Sequence, residues 1–172
     1  MRRALPNYLA PGLDVIFVGI NPGLYSAARG HYYARPANLF WRALHESGLT
    51  AERLGPDDDE RLPAFGMGLT DVVARSSRSS ADLSHDELAR GGRALLSRVR
   101  RFAPRIACFN GLTGYRACFG RTARPGLQPD RVGGTRVYVV PSTSRRNAAY
   151  SPEVVIAHFR ALKTLLDEMK GS

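Results

Sequence analysis

The chain has 172 residues, of which 44% are hydrophobic. This is enough apolar material for one domain with a single core, and it excludes disorder of the whole chain. The net charge is +10, and residues 72–150 hold all of the excess because they contain 15 arginines and only 4 acidic residues. Such a stretch predicts a polyanionic partner; the alternative is scattered solubilising charge.

Several classes of protein are excluded by simple patterns. No apolar run approaches the ~18 residues of a membrane span, and the first residues lack a signal-peptide core. We therefore expect a cytoplasmic, nucleoid-associated protein with no membrane partner. Cys108 and Cys118 form no CxxC or Cys/His cluster, so we expect neither a metal nor another cofactor. Lys163 and Lys170 lie near the end of the last predicted helix, where neither suits Schiff-base chemistry.

Strands and helices alternate in the first half of the chain. Apolar, β-branched residues predict a buried strand over 14–20, which ends in an Asn-Pro-Gly turn. A Gly/aromatic loop over 24–35 leads to a helix over 36–48, with Pro36 as its first residue. Residues 49–66 contain an acidic run and predict a solvated loop, and 69–73 predicts a second, short strand.

The second half continues this alternation. Ser84 and Glu87 form a capping box at the start of a long helix, which contains the unfavourable pair Gly91-Gly92. The remaining predictions are a strand over 105–109, a short helix to 119, a loop over 120–134, a strand over 137–140 and a last helix from Ser151.

This order predicts a single α/β domain over residues 1–172. It has three α/β/α layers around a short, mostly parallel sheet. Ligands bind such sheets at the carboxyl ends of the strands. Two polar, Gly/Pro-bearing segments, 20–35 and 141–147, follow predicted strands. We therefore expect both segments to open on the same edge of the sheet.

Asn21 follows the first predicted strand and is the first candidate for chemistry. An amide is no general base at neutral pH, but it can orient a water molecule by accepting one hydrogen bond and donating another. This suits a dissociative reaction such as the cleavage of a glycosidic bond, which passes through an oxocarbenium-like transition state. By itself, however, Asn-Pro-Gly is also a common turn.

The motifs around Asn21 resemble those of the mismatch-specific uracil/thymine-DNA glycosylases, a branch of the uracil-DNA glycosylase superfamily. The first block comprises Gly19-Ile20-Asn21-Pro22-Gly23-Leu24, Gly30-His31-Tyr32-Tyr33 and Pro36-Ala37-Asn38-Leu39-Phe40-Trp41. Further likenesses are Gly68-Leu69-Thr70-Asp71, Gly91-Gly92-Arg93, Ala107-Cys108-Phe109-Asn110-Gly111, Gly126-Leu127-Gln128-Pro129 and Val140-Pro141-Ser142-Thr143-Ser144. The resemblance spans about residues 13–168 and implies a uracil-DNA-glycosylase-like fold.

The resemblance also implies roles for residues of the first block. Asn21 would position the hydrolytic water below the anomeric carbon. Tyr33 falls where the family has an aromatic residue that stacks on the flipped base, although a core tyrosine is the alternative. The remaining residues implied for the base pocket are Ile20, Gly23, Ser26 and His31.

A second group of residues is implied in contacts with DNA. Residues 141–147 match the loop that enters the minor groove and fills the space of the extruded nucleotide. We expect Arg145 or Arg146 to be the wedge, because Ser144 stands where bacterial relatives commonly have Leu. Exposed loop arginines with diffuse charge are the alternative. Further candidates are Ser142, Ser77 and the pair Asn110-Gly111, whose backbone amides precede a helix and could bind a phosphate.

Asp71 departs from the family, which often has Lys or Asn at this position. A carboxylate near the pocket could activate water as a base or accept a hydrogen bond from N3–H of the base. Either role would reduce the dependence on Asn21 and widen the range of substrates. A helix-start or strand-end cap is the alternative for Asp71.

Together these features predict a monofunctional DNA glycosylase that removes uracil mispaired with guanine. The family resemblance implies thymine opposite guanine and ethenocytosine as further candidate substrates, and Asp71 adds uracil in single strands or opposite adenine. The predicted partners are double-stranded DNA and downstream base-excision-repair enzymes, and we expect a monomer. A noncatalytic module that binds mismatched or damaged DNA with the same fold is the alternative.

Overall fold

A five-stranded sheet forms the centre of the protein in the computed structural model, which describes residues 4–146 and 148–171. The strands are β1 (Val15–Gly19), β2 (Met67–Asp71), β3 (Ile106–Asn110), β4 (Gly126–Val132) and β5 (Thr135–Val140). Their order across the sheet is β2-β1-β3-β5-β4. Three pairings are parallel, and only β4 runs antiparallel to its neighbour β5. The prediction of a short, mostly parallel sheet is therefore confirmed.

Helices cover both faces of the sheet. They are α1 (Leu24–Arg29), α2 (Phe40–Glu46), α3 (His85–Phe102), α4 (Leu112–Phe119) and α5 (Pro152–Gly171). Alternate residues of a strand point to opposite faces, so Phe17 packs with α2 and α5 while Val18 packs with α3 and α4. Each face thus has its own apolar core, which confirms the three layers. Among the described residues, no helix combines the length and apolar character that a membrane crossing requires.

Three predicted loops contain regular structure. Helix α1 lies within 24–35, and a 3₁₀-helical segment, Pro56–Phe65, lies within 49–66. In that segment Asp59 is 1% exposed, so the acidic run is not wholly solvated as predicted. Strand β4 lies within 120–134, where half-buried and exposed positions alternate without an apolar pattern. As an edge strand it pairs on one side only, with β5, so hydrogen bonding to that neighbour positions it with little apolar burial.

Helix α2 begins at Phe40 rather than at the predicted Pro36. The Asn38 side chain accepts a hydrogen bond from the Phe40 amide at 3.0 Å. The Leu39 amide donates instead to the carbonyl oxygen of Thr143 at 3.0 Å. This distant contact ties the start of α2 to the segment that follows β5.

The paired glycines of α3 allow two close backbone approaches. The predicted capping box is present, because Ser84 Oγ accepts from the Glu87 amide and Glu87 Oε2 accepts from the Ser84 amide. A Cβ atom on Gly91 would lie 2.4 Å from the carbonyl oxygen of Val72, and one on Gly92 would lie 2.4 Å from that of Ala117. The two glycines therefore let α3 pack closely on the segment that follows β2 and on α4.

Gly92→Ala should lower the free energy of unfolding, although alanine is the better helix former by about 1 kcal/mol. The added methyl group meets backbone atoms that cannot rotate away, and overpacking of this kind costs about 1–3 kcal/mol. Urea unfolding measures the change. Gly134→Ala is the control, because a Cβ atom there meets nothing within 4 Å. Equal stability of the two variants would contradict the close approach.

Candidate active site

Four parallel strands end at one edge of the sheet, and the segments that follow them surround a cavity of about 390 Å³. These segments follow β1, β2, β3 and β5 and are joined in the cavity wall by part of the loop between α1 and α2. The predicted site residues found in the wall are Ile20, Asn21, Gly23, Ser26, Tyr33, Asp71, Ser77, Asn110, Gly111, Ser142, Ser144 and Arg146. Residues from all parts of the sequence thus meet in one place, whereas His31 and Arg145 lie outside this wall.

The amide group of Asn21 is held in one orientation by the segment after β2. Its Nδ2 donates to the carbonyl oxygen of Arg75 at 3.0 Å and to Ser77 Oγ at 2.8 Å. Ser77 Oγ in turn donates to the carbonyl oxygen of Ser79 at 2.7 Å, so it can only accept from Asn21. Both hydrogens of the amide are therefore used, and Asn21 Oδ1 remains as an acceptor. The predicted donation by Asn21 to a water molecule is not available in this arrangement.

The segment that orients Asn21 is itself tied to α3. Arg75 forms hydrogen bonds with both carboxylate oxygens of Glu87 and donates to the carbonyl oxygen of Asp82. The bond from Arg75 is the main reason why the pKa of Glu87 is lowered to about 2. Ser77 is 6% exposed, so its hydroxyl group supports Asn21 from within the wall. The predicted contact of Ser77 with DNA would therefore have to compete with the hydrogen bonds that Ser77 forms with Asn21 and Ser79.

Asp71 ends β2 directly beside Gly19 of β1, with which it is in register. A Cβ atom on Gly19 would lie only 2.3 Å from Asp71 Oδ1 and 3.2 Å from the Tyr33 hydroxyl oxygen. A side chain at position 19 would therefore displace the carboxyl group. Burial raises the pKa of Asp71 to about 7, and the Arg98 guanidinium partly opposes this rise. Near neutral pH, Asp71 can therefore both take up and release a proton.

Tyr33 presents its hydroxyl group to the same place. Its ring centroid lies 4.2 Å from that of Phe40, and its backbone has a positive φ of 51°, a conformation that non-glycine residues rarely adopt. The hydroxyl oxygen is buried and has no hydrogen-bond partner among the described residues. Burial and the nearby Asp71 carboxyl group raise the pKa of Tyr33, so the hydroxyl group stays protonated. It is a hydrogen-bond donor without an acceptor, a feature that points to a ligand.

His31 belongs to the loop before Tyr33 but faces away from the cavity wall. Its Nδ1 lies 3.2 Å from Asp59 Oδ1, and its Nε2 lies 3.6 Å from Asp57 Oδ1. Asp59 Oδ2 also accepts from the Tyr32 amide at 3.0 Å. A buried carboxylate needs such partners, so it draws the imidazole to itself. His31 thus anchors the loop that carries Tyr33, rather than lining the predicted base pocket.

Asn110 anchors the segment after β5 instead of presenting a free side chain. Its Nδ2 donates to Thr143 Oγ1 at 2.8 Å, and its Oδ1 accepts from the Thr143 amide at 2.9 Å. The Gly111 amide donates to the carbonyl oxygen of Val140 at 2.9 Å. The Gly111 amide therefore continues the pairing of β3 with β5 and is not free for a phosphate, in contrast to the expectation for Asn110-Gly111.

The two candidate wedge arginines point in different directions. Arg146 Nη1 donates to the carbonyl oxygen of Arg78 at 2.9 Å, which joins two walls of the cavity. Arg145 Nη1 donates to the carbonyl oxygen of Tyr150 at 3.0 Å. The hydroxyl groups of Ser142 and Ser144 accept from backbone amides two residues further on. Asn147, the last residue of the predicted wedge loop, lies outside the described residues.

Arg78 is a site residue that the sequence analysis missed. It lines the cavity and is exposed, and its carbonyl oxygen binds Arg146. The sequence could have indicated Arg78, because this residue belongs to a polar Ser/Arg run that follows the second predicted strand. That strand ends at the same edge of the sheet as the other parallel strands. Other arginines of the basic stretch form ion pairs: Arg75 with Glu87, Arg105 with Asp14, and Arg121 with Asp130. Within residues 4–146 and 148–171, no group of three or more His, Cys, Asp or Glu residues could hold a metal ion.

Comparison with known proteins identifies the family. The model of the Uracil DNA glycosylase superfamily matches residues 6–166. The fold is similar to the solution NMR structure of a proposed uracil DNA glycosylase from Methanosarcina acetivorans, with a TM-score of 0.61 and 23% sequence identity. That similarity covers 94% of this chain and 98% of the archaeal chain, and at this identity it supports the fold alone. Because the family match covers nearly the whole chain, the protein belongs to the uracil DNA glycosylase superfamily of DNA-repair hydrolases.

Proposed function

We propose that the protein is a monofunctional glycosylase that removes uracil mispaired with guanine from double-stranded DNA and leaves an abasic site. The observation that supports this most directly is that Asn21 and Asp71 line the same cavity. The free acceptor of Asn21 and the titratable carboxyl group of Asp71 suit the positioning and deprotonation of water. The protein would act as a monomer inside the cell and pass its product to downstream base-excision-repair enzymes.

In the proposed reaction, the uracil nucleotide first leaves the DNA stack and enters the cavity. The bond between C1′ of the deoxyribose and N1 of uracil breaks, and its electron pair leaves with the base. The sugar thereby gains oxocarbenium character. The water oxygen forms a bond to C1′, the Asp71 carboxylate takes up one proton of the water, and Asn21 Oδ1 accepts a hydrogen bond from the other. The uracil anion then takes up a proton from solvent.

The walls of the cavity would hold the base. The aromatic ring of Tyr33 offers a flat surface, and the backbone from Ile20 to Gly23 would contact the edge of the base. Ser26 Oγ accepts from the Ala34 amide at 3.1 Å and so holds the backbone directly after Tyr33. Flipping costs a few kcal/mol and least for a mismatched pair, which favours U:G over U:A. Thymine opposite guanine, ethenocytosine and uracil in single strands are further proposed substrates.

Single-turnover base release from U:G, U:A, T:G and single-stranded U oligonucleotides tests the proposal. We expect the fastest release from U:G. Binding of these oligonucleotides without release of base from any of them would contradict catalysis and support a noncatalytic mismatch-binding module. Equal rates for U:G and U:A would retain the enzyme but contradict the mismatch preference.

Arg146→Ala should slow base release from U:G duplexes by about 10-fold, equivalent to about 1.4 kcal/mol. In our proposal, the Arg146 side chain leaves the Arg78 carbonyl oxygen and fills the space of the extruded nucleotide. A single strand has no partner base, so release from single-stranded U should be unchanged. Single-turnover rates on both substrates check this prediction.

Arg124→Ala is the control for Arg146→Ala, because it removes an exposed arginine that is not in the cavity wall. The same loss on duplex and single-stranded substrates for Arg146→Ala would contradict a wedge and indicate a general charge effect. If Arg145→Ala alone slows duplex cleavage, the wedge is Arg145.

The product strand should stay intact after base removal. Strand cleavage by β-elimination needs an amine that forms a Schiff base with the opened sugar. Lys163 forms an ion pair with Asp167, and Lys170 forms one with Asp14 at 3.0 Å, both on α5 and outside the cavity wall. Denaturing gels with and without alkali should show breaks only after alkali. Borohydride trapping of a covalent adduct would contradict the monofunctional proposal.

A further inference from the structure

Arg98 reaches from α3 to the end of β2, behind Asp71. Its Nη1 donates to Thr70 Oγ1 at 2.8 Å and to the backbone carbonyl oxygen of Asp71 at 3.2 Å. Thr70 is 1% exposed, and its hydroxyl group donates to Asn7 Oδ1 at 2.7 Å. The hydroxyl hydrogen is thereby directed to Asn7, which leaves Thr70 Oγ1 as an acceptor for Arg98. This network fixes the guanidinium at the strand end from the side remote from the cavity.

Arg98 differs from the arginines that form ion pairs. Arg75, Arg105 and Arg121 each contact a carboxylate. In the part of the chain that the structure describes, no ion pair within 4 Å joins Arg98 to a carboxylate, and its side chain is half-buried and absent from the cavity wall. Its positive charge acts instead on the Asp71 carboxyl group. A half-buried charge of this kind is poorly screened by solvent and acts strongly on its neighbours.

We propose that Arg98 is a positioning residue for Asp71, which holds the end of β2 in place and supplies the positive charge that keeps the carboxyl group ionised near neutral pH. This inference rests on the proposed role of Asp71 as the proton acceptor. It goes beyond that role because it assigns the control of the carboxyl group to a residue outside the cavity.

The other groups that face Asp71 do not supply this charge. Tyr32 and Tyr33 face it from the loop between α1 and α2, and burial raises the pKa of each, so both hydroxyl groups are neutral at pH 7. Gly19 faces it with backbone only. Burial raises the pKa of Asp71, and the positive charge of the Arg98 guanidinium lowers it. Removing Arg98 should therefore shift ionisation of Asp71 to a higher pH.

The test is the pH dependence of single-turnover base release from U:G duplexes at saturating enzyme. The rate of the wild-type protein should rise with pH through a midpoint near pH 7. For Arg98→Gln we expect a midpoint about one unit higher, because a neighbouring charge shifts a pKa by about 1–3 units. At pH 7 the rate of Arg98→Gln should be roughly 5-fold below that of wild type. About a tenth of its Asp71 carboxyl groups are ionised at this pH, compared with about half in wild type. Above about pH 9 the rate should recover, which a misfolded variant would not do.

Three variants complete the design. Arg98→Lys keeps the charge and should keep the midpoint. Arg100→Gln removes an exposed arginine from the same helix and should also leave it unchanged. Thr70→Val is near-isosteric and removes one acceptor of Arg98, so it should raise the midpoint in the same direction even if Arg98→Gln does not fold.

The outcomes separate the two proposals. A midpoint that stays unchanged in Arg98→Gln and Thr70→Val would overturn the role of Arg98, provided that Asp71→Asn abolishes the pH dependence. If Asp71→Asn instead retains the wild-type rate and profile, the proposed role of Asp71 fails first and the inference fails with it. An equal fall in rate at every pH in Arg98→Gln would show a purely structural role and would also overturn the inference.

Discussion

Replacing Asn21 by alanine should slow base release from U:G duplexes by about 100-fold or more, because a misplaced reactant loses about this factor. Asn21 Oδ1 is the acceptor left on an amide whose hydrogens bind Arg75 and Ser77. Alanine removes the acceptor and leaves the hydrolytic water without a fixed orientation. Binding of the duplex should change much less, since the basic stretch lies elsewhere in the chain. Single-turnover rates and fluorescence-anisotropy titrations measure the two effects separately.

Gln128→Ala is the matched control for Asn21→Ala. Gln128 is also an amide that donates two hydrogen bonds, in its case to backbone carbonyl oxygens at 2.7 and 3.1 Å, but it lies on the edge strand β4 and outside the cavity wall. Its removal should leave base release unchanged. If Asn21→Ala loses affinity and rate in equal measure, Asn21 contributes to binding of the duplex and not to positioning of the water. If the variant retains the wild-type rate, Asn21 is not needed and Asp71 activates the water without it.

Asp71→Asn should slow base release by about 100-fold at pH 8, which is the lower range of general-base contributions. Because burial raises the pKa of Asp71 to about 7, the wild-type rate should rise with pH through a midpoint near 7 and level off above about pH 8. The asparagine variant cannot take up a proton, so its remaining rate should be flat across this range. A pH–rate profile of both proteins from pH 5 to pH 9 measures the difference. A wild-type rate that falls as pH rises would contradict a carboxylate base.

The same substitution should stabilise the fold at neutral and higher pH. The usual pKa of an aspartate is 3.8, and that of folded Asp71 is about 7. Between these values the unfolded chain has lost the proton while the folded chain keeps it, so wild-type stability falls by about 1.4 kcal/mol per pH unit. The decline starts near pH 4 and ends near pH 7. Asp71→Asn avoids it, and its advantage in urea unfolding should therefore grow over this interval and persist above it.

Asp86→Asn removes an exposed carboxylate of α3 and serves as the control for charge alone. Asp71→Asn should be more stable than wild type and less active, which is typical of a residue whose environment serves function rather than stability. A fall in both stability and activity would favour the alternative from the sequence, in which Asp71 is a strand-end cap.

Local patterns were sufficient to predict the elements with strong apolar or capping signals. The buried runs of β1, β3 and β5 and the Ser84 capping box of α3 predicted their elements within a few residues. Strand β4 was missed because an edge strand pairs on one side and buries little. Helix α1 is only six residues long, and its glycine and aromatic neighbours resemble those of a loop.

The chemistry of the site was visible in the sequence mainly through the family motifs, and its geometry was not. Asn21 could be named from its position after a predicted strand, and Asp71 from its place in a family motif within the predicted strand over 69–73. Both hydrogens of the Asn21 amide are donated to Arg75 and Ser77, which lie more than 50 residues away in the sequence. In the same way, the buried Asp59 takes His31 out of the predicted pocket, and the bond from Gly111 to Val140 uses an amide assigned to phosphate. Such competition for hydrogen bonds has no signature in local sequence.

The sequence by itself determined the alternation of strands and helices, the sheet edge where the polar segments meet, and the residue types available there. It did so because burial periodicity and turn chemistry are local properties. Only the tertiary structure decided which of these groups are free to act. The proton affinity of Asp71 depends on the depth of its burial and on Arg98 behind it. Both arise from packing between distant segments, since desolvation and charge act through space rather than along the chain.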